Sequence, residues 1–189
     1  RHPVAAELEA RSASGRLVDR LVELDPTTLD DEAPVEGIAA WERAGAWMVG
    51  QQARWIVELG ARAMRGSDVD RLPDEVATRL GITRRAAEHK VELAHGLARH
   101  PRLAAALDEG SVSGRKAEVL LHDTEHLPWP LADEVIARVL QTADERTVPQ
   151  VRADVRATEL ALDAEAAAAR HTEARRERCV RMTPAPDAV

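Results

Sequence analysis

Phenylalanine and tyrosine are absent from this 189-residue sequence, lysine occurs only as Lys90 and Lys116, and Cys179 is the single cysteine. Each scarcity excludes something. One thiol cannot form an internal disulfide or a Cys-x-x-Cys metal cluster, which suits a reducing compartment, so a cytoplasmic location is expected. No apolar run approaches the ~20 residues of a membrane span, so no membrane partner is expected. The opening Arg1-His2-Pro3-Val4 lacks both an initiator Met and the apolar core of a signal peptide, and the chain reads as a fragment. Aromatic and β-branched residues, which strands favour, are scarce. Trp41, Trp47, Trp55 and Trp129 are the only aromatics, and they are expected to supply the aromatic part of the core.

Alanine (35 residues) and arginine (24) dominate instead, and both are strong helix formers. The length suits one domain, or one domain with an extended arm. The predicted fold is all-α: a multi-helix bundle with one long Trp-bearing helix, an embedded helix-turn-helix-like segment and an extended C-terminal tail.

The net charge of −7 argues against a general nucleic-acid coat, yet its distribution is uneven. Residues 1–40 carry a local balance of −5, residues 79–119 of +3, residues 120–169 of −6 and residues 170–182 of +3. Two basic islands sit in an acidic chain.

Punctuation along the chain sets the elements. Pro3 can open a helix running to about Leu24, with Leu17, Leu21 and Leu24 on one stripe, and Asp25-Pro26 breaks it. With the acidic stretch that follows, residues 1–34 read as an N-terminal helix and linker. From Val35 to Met64 there is no proline. Ile38, Trp41, Met48, Trp55 and Leu59 recur at three- and four-residue steps or their sums, predicting a helix ~45 Å long. Gly45 and Gln52 share that seam, and Gly50 allows a bend or break. Such a stripe seeks a partner helix, in the same chain or in a second copy. The domain as a whole reads as residues 35–178.

Within it, Pro73-Asp74-Glu75 starts a helix and Gly81 can end it at the C′ position. Thr83 can cap a helix to about His100, Pro101 opens a short one closed by Gly110, and Ser113 caps the next, through Leu127. Pro130 to Ala143 and Val148 to about Arg176 follow, the latter capped by Thr147, and residues 179–189 read as an extended tail or the truncated start of a further region.

The stretch Val76-Ala77-Thr78-Arg79-Leu80-Gly81-Ile82-Thr83-Arg84-Arg85-Ala86-Ala87 has helix-turn-helix spacing, within a segment at about 73–127. Ala77 is small where two helices cross, Gly81 supplies the positive φ of a tight turn, and Leu80 and Ile82 are expected to pin that turn to the core. The second helix would then present Arg84, Arg85, Glu88 and His89 near its N-terminus, the part that enters a major groove in such proteins. Arginine there can bind guanine through two hydrogen bonds, and nearby cations can hold phosphates. Arg84, Arg85 and His89 are therefore expected to read or grip a groove, with Arg79, Lys90, Arg115 and Lys116 neutralising phosphate. A helical hairpin with ordinary turn chemistry and a solvated charged face remains the alternative.

The order of this hairpin, a short helix, Glu109-Gly110-Ser111-Val112-Ser113 and a helix bearing Arg115 and Lys116 is similar to the DNA-binding core of ParB-type partition proteins. Over residues 35 to 185 the chain resembles the actinobacterial 13E12-repeat family, whose N-terminal region is domain of unknown function 222. The resemblance rests on Leu80-Gly81-Ile82-Thr83-Arg84-Arg85-Ala86, Pro101-Arg102-Leu103-Ala104-Ala105-Ala106-Leu107-Asp108-Glu109-Gly110, Ser113, Ala117 and the run from Ala169-Arg170 to Val180. It implies association with a C-terminal HNH endonuclease module, yet no His-His pair, Cys-x-x-Cys or Asp-His step of such a module is present, so this fragment is not expected to be an enzyme.

Other chemistry is thin. His122 and His126 lie four apart beside Asp123 and Glu125, a spacing able to hold a metal, but a polar surface face accounts for it and no metal is expected. His89, His95 and His100 do not share a face and are expected in solvent. Cys179 has arginine neighbours and no identifiable His partner. Arg170, Arg175, Arg176 and Arg178 fit either an ion-paired helix or a phosphate-facing arm. No Gly-rich phosphate loop is present, and no cofactor is expected. Two functions follow as expectations: a helical DNA-binding or DNA-targeting region of an HNH-endonuclease-associated protein, or a protein–protein module in which the helix over 35–64 pairs with another copy.

Overall fold

A computed structural model describes residues 3–65, 71–162 and 164 of the chain. Among them are nine α-helices and no strand, so the fold is all-α. The tail over 179–189, Cys179, the arginines from 170 to 178 and Gly66-Ser67-Asp68 lie outside the described residues.

The first 24 residues do not make one helix. Helix α1 (Pro3–Ala10) ends, and α2 (Gly15–Glu23) begins afresh where the Ser14 side chain accepts from the Leu17 N–H. The Ser12-Ser14 step competes for backbone hydrogen bonds, with the Ser14 hydroxyl also donating to the Ser12 carbonyl, and this lets the chain fold back. Arg20 Nε and Nη2 reach across to the two Glu7 carboxylate oxygens at 2.9 and 3.1 Å, tying α2 to α1. The Arg20 hydrogen bonds, helped by Arg11, hold the Glu7 carboxyl below its ordinary value. A depressed carboxyl stabilises the fold above its unfolded value and loses that contribution as pH falls through the folded one. Below the ordinary glutamate range, α1–α2 docking is therefore expected to weaken. Half-buried Trp47, packed near Gly15, should report this by fluorescence. The account fails if Glu7→Gln leaves the acid dependence unchanged.

Helix α3 (Ala33–Arg65) is continuous for 33 residues, ~50 Å, without a break at Gly50. Its buried positions are small: Ala33, Ala40, Ala44, Ala46, Gly50, Ala53 and Gly60, with Ile56 the only large one. Small side chains let other helices approach closely. A Cβ on Gly50 would stand 2.9 Å from Asp108 Oδ1 and 3.5 Å from Leu107. The two halves of α3 serve separate cores. Ala40 and Ala44 pack with Leu8, Leu17 and Leu21 of α1 and α2. Ala46, Ala53 and Ile56 join the larger core built by α4 (Leu72–Leu80), α5 (Arg84–Arg99), α6 (Pro101–Glu109), α7 (Gly114–Thr124), α8 (Trp129–Val139) and α9 (Val148–Leu162).

Those cores hold leucine, valine, isoleucine and alanine rather than tryptophan. Trp41, Trp55 and Trp129 are exposed and Trp47 is half-buried, which corrects the expectation that they form the interior. Exposed Trp129 rests its indole N–H on the Arg99 carbonyl at 3.3 Å. The stripe Ile38, Trp41, Met48 and Trp55 lies in solvent too, and only Leu59 of that series packs against the core.

The remaining punctuation works as the chemistry requires. Thr83 accepts from the Ala86 N–H and Ser113 from the Lys116 N–H, whereas at α9 the Thr147 side chain does not accept from the helix; Gln150 Oε1 instead accepts from both the Thr147 N–H and its hydroxyl. Gly81 (φ 66°) and Gly110 (φ 76°) close α4 and α6 in the left-handed conformation.

Candidate nucleic-acid interface

The glycine-hinged pair α4–α5 sits against the C-terminal half of α3. Ala77 and Ala87 are buried at the helix crossing, and the Ile82 N–H reaches the Ala77 carbonyl at 3.1 Å. Ile82 packs on the core. Leu80 does not: it is 44 % exposed and lines an open groove between α3 and α4. Val91 is buried and Lys90 beside it is half-buried.

The seven basic or imidazole residues singled out above separate into two groups. Arg84 is held: its Nη1 lies 3.0 Å from Asp74 Oδ2 and its Nε 2.9 Å from Glu88 Oε1. Arg115 pairs with Glu118 at 2.8 Å. Lys90 Nζ donates to Gln52 Oε1 at 2.8 Å, bridging α5 to α3. Lys116 Nζ donates to the Ala143 and Asp144 carbonyls at 2.6 and 3.3 Å, satisfying the chain end that follows α8. Its ammonium thus performs a packing task that spacing along the sequence does not reveal. Arg79, Arg85 and His89 form the second group, exposed and without a side-chain partner among the described residues.

Arg85 and His89 lie one turn apart and so share a face of α5. Arg79 instead lines the α3–α4 groove. Glu88 and Glu92 border the Arg85–His89 face, which is therefore mixed in sign rather than uniformly basic. The N-terminus of α5 differs from that of α4 and resembles that of α7, which opens on Arg115 and Lys116 without an acid. The positive end of a helix dipole favours carboxylates, and α4 obeys with Asp74 and Glu75. The first turn of α5 carries no acid and opens on Arg84 and Arg85. Two cations at a positive dipole end cost a few tenths of a kcal/mol to about 1 kcal/mol, and a polyanion there would remove that cost.

His100 is buried, not solvated, with Nδ1 3.2 Å from Asp133 Oδ1. The helix-to-helix step at Pro101 encloses it, a tertiary effect without a local sequence signal. His126 Nε2 lies 3.2 Å from Glu159, and Asp123 lies 3.8 Å from Arg152. Among the described residues no group of three or more His, Cys, Asp or Glu is placed to hold a metal ion, and none of their helices is long and apolar enough to cross a membrane.

A helical bundle with a glycine-hinged pair docked on one long helix defines the class. A family model described as "Domain of unknown function (DUF222)" matches residues 36–188, and the chain belongs to that family. No curated protein and no solved structure matches the chain.

Proposed function

We propose that this chain is a DNA-contacting helical region, of the kind that accompanies an HNH endonuclease module, and that contact is made by the N-terminal end of α5. The observation that carries the reading is Arg85 with His89 one turn on: both are exposed and lack a side-chain partner among the described residues, at a dipole end that opens on cations instead of acids. Arg85 would reach a phosphate or guanine edge and His89 the adjacent edge or phosphate. Arg84 plays a secondary part. Its pairs with Asp74 and Glu88 are about half exposed, and such pairs are worth ~0–1 kcal/mol, so a phosphate can displace them. The acidic balance of residues 1–40 and 120–169 would disfavour contact through those segments.

Two variants test the reading by fluorescence anisotropy on duplex DNA. Arg85→Ala/His89→Ala is expected to lower affinity about 10- to 100-fold with helicity unchanged. Glu88→Gln, which removes an anion from the same face and leaves Arg84 its Asp74 pair, should tighten binding several-fold, a gain that misfolding cannot imitate. Unaltered affinity in both would refute the reading.

A further inference from the structure

Four large apolar residues of α3 face away from both cores. Ile38 is 67 % exposed, Trp41 43 %, Met48 46 % and Trp55 79 %, although the chain has only four aromatic residues. With Gly45 and Gln52 they fall at 38, 41, 45, 48, 52 and 55, an unbroken alternation of three- and four-residue steps. That period keeps one seam facing a partner helix along its whole length. At its C-terminal end the seam runs into the open groove between α3 and α4, where Trp55, Leu59 and Leu80 present apolar surface.

We infer that this seam pairs antiparallel with the same seam of a second copy, the two-fold axis passing close to Gly45–Met48. Three observations commit the surface to that occupant. First, a Cβ on Gly45 would meet nothing within 4 Å, so the backbone is open where the Met48 side chain of the other copy would lie. Second, the halves of α3 differ in charge. The N-terminal half shows Glu36 and Glu42, following Asp30, Asp31 and Glu32, with its one arginine, Arg43, turned to the Leu8 carbonyl at 2.7 Å. The C-terminal half shows Arg54, Arg62 and Arg65; Arg62 and Arg65 share the single Glu58, and Arg54, itself 63 % exposed, pairs with Asp108 of α6. Antiparallel pairing sets acidic half on basic half at both ends, whereas parallel pairing sets like on like. Third, the apolar ends match: Ile38 of one copy falls on Trp55 of the other, and the start of its α3 lies in the α3–α4 groove. The same patch meets itself twice, as a closed two-fold interface requires. This pairing uses neither Arg85 nor His89 and stands independently of DNA contact.

Sedimentation equilibrium of the whole chain over a concentration series tests it. The expected result is a monomer–dimer equilibrium for the wild type. Met48→Arg should raise the dissociation constant ~100-fold or more, since it sets like charges together at the axis. Because Met48 is exposed in the single chain, helicity and melting temperature of that variant should match the wild type at monomer concentrations. Glu36→Arg/Glu42→Arg should weaken the antiparallel pair at least tenfold by placing cations on either side of Arg54. In a parallel pair it would merely exchange one repulsion for another. A wild type that stays monomeric to its solubility limit, a dimer indifferent to Met48→Arg, or one indifferent to the charge reversal would each overturn the proposal. The first of these outcomes would assign the stripe to a different protein.

Discussion

Gly110→Ala is expected to destabilise the chain by about 3 kcal/mol, while the same change at Gly81 costs about 1 kcal/mol. Both glycines close a helix with positive φ, and both turns carry the same bond one residue further on, from Ser111 N–H to the Ala106 carbonyl and from Ile82 N–H to the Ala77 carbonyl. Their surroundings differ. A Cβ at Gly81 meets nothing within 4 Å, so only backbone strain is added. A Cβ at Gly110 would lie 2.7 Å from Arg43 Cβ and 2.9 Å from Arg43 Cα. Those atoms belong to the continuous helix α3 and cannot step aside, so the α6–α7 turn must lift from α3. At roughly 2–4 °C per kcal/mol for a chain of this size, calorimetry should show a loss near 10 °C for Gly110→Ala against a few degrees for Gly81→Ala. Equal losses would mean that α3 does not press on that turn.

Leu120→Ala should cost about 3–4 kcal/mol and lower protection throughout α4–α9. Leu120 is fully buried in the larger core. Leu17 is equally buried, but in the small cluster with Leu8, Leu21, Ala40 and Ala44. Leu17→Ala is thus expected to release α1 and α2 while the larger core keeps its protection, because the two clusters touch α3 along different halves. Amide hydrogen exchange separates the cases. Loss of protection in α5 and α7 after Leu17→Ala would show the two clusters to be one cooperative unit.

Much of the fold was legible because turn chemistry is local. Gly81, Thr83, Pro101, Gly110, Ser113 and Thr147 each act within four residues, and each begins or ends a helix where the sequence places it. The path of α3 was legible only in part. Its spacing identified the helix, but most of the large residues that carry the periodicity point outward, and apart from Ile56 the buried residues are alanine and glycine, whose burial leaves almost no hydropathy signal. Sequence periodicity says that a face is apolar and cannot say what covers it. At the candidate interface the limit was tertiary pairing. The Arg84–Glu88 bond follows from an i,i+4 spacing, whereas Asp74 reaches Arg84 only because the hinge folds α4 onto α5. Lys116 likewise meets the Ala143 carbonyl 27 residues away, and His100 is enclosed by its partner from α8. Arg85 and His89 stayed exposed because no other helix among the described residues covers that turn.

The central claim, that the start of α5 meets a polyanion, is tested most directly by the salt dependence of duplex DNA affinity for wild type and Arg85→Ala. If the guanidinium displaces a counterion from the duplex, wild-type affinity falls steeply as salt rises, and the substitution reduces the slope of log affinity against log salt by about 1. Absence of association at low salt, or a variant with the wild-type slope, would contradict it.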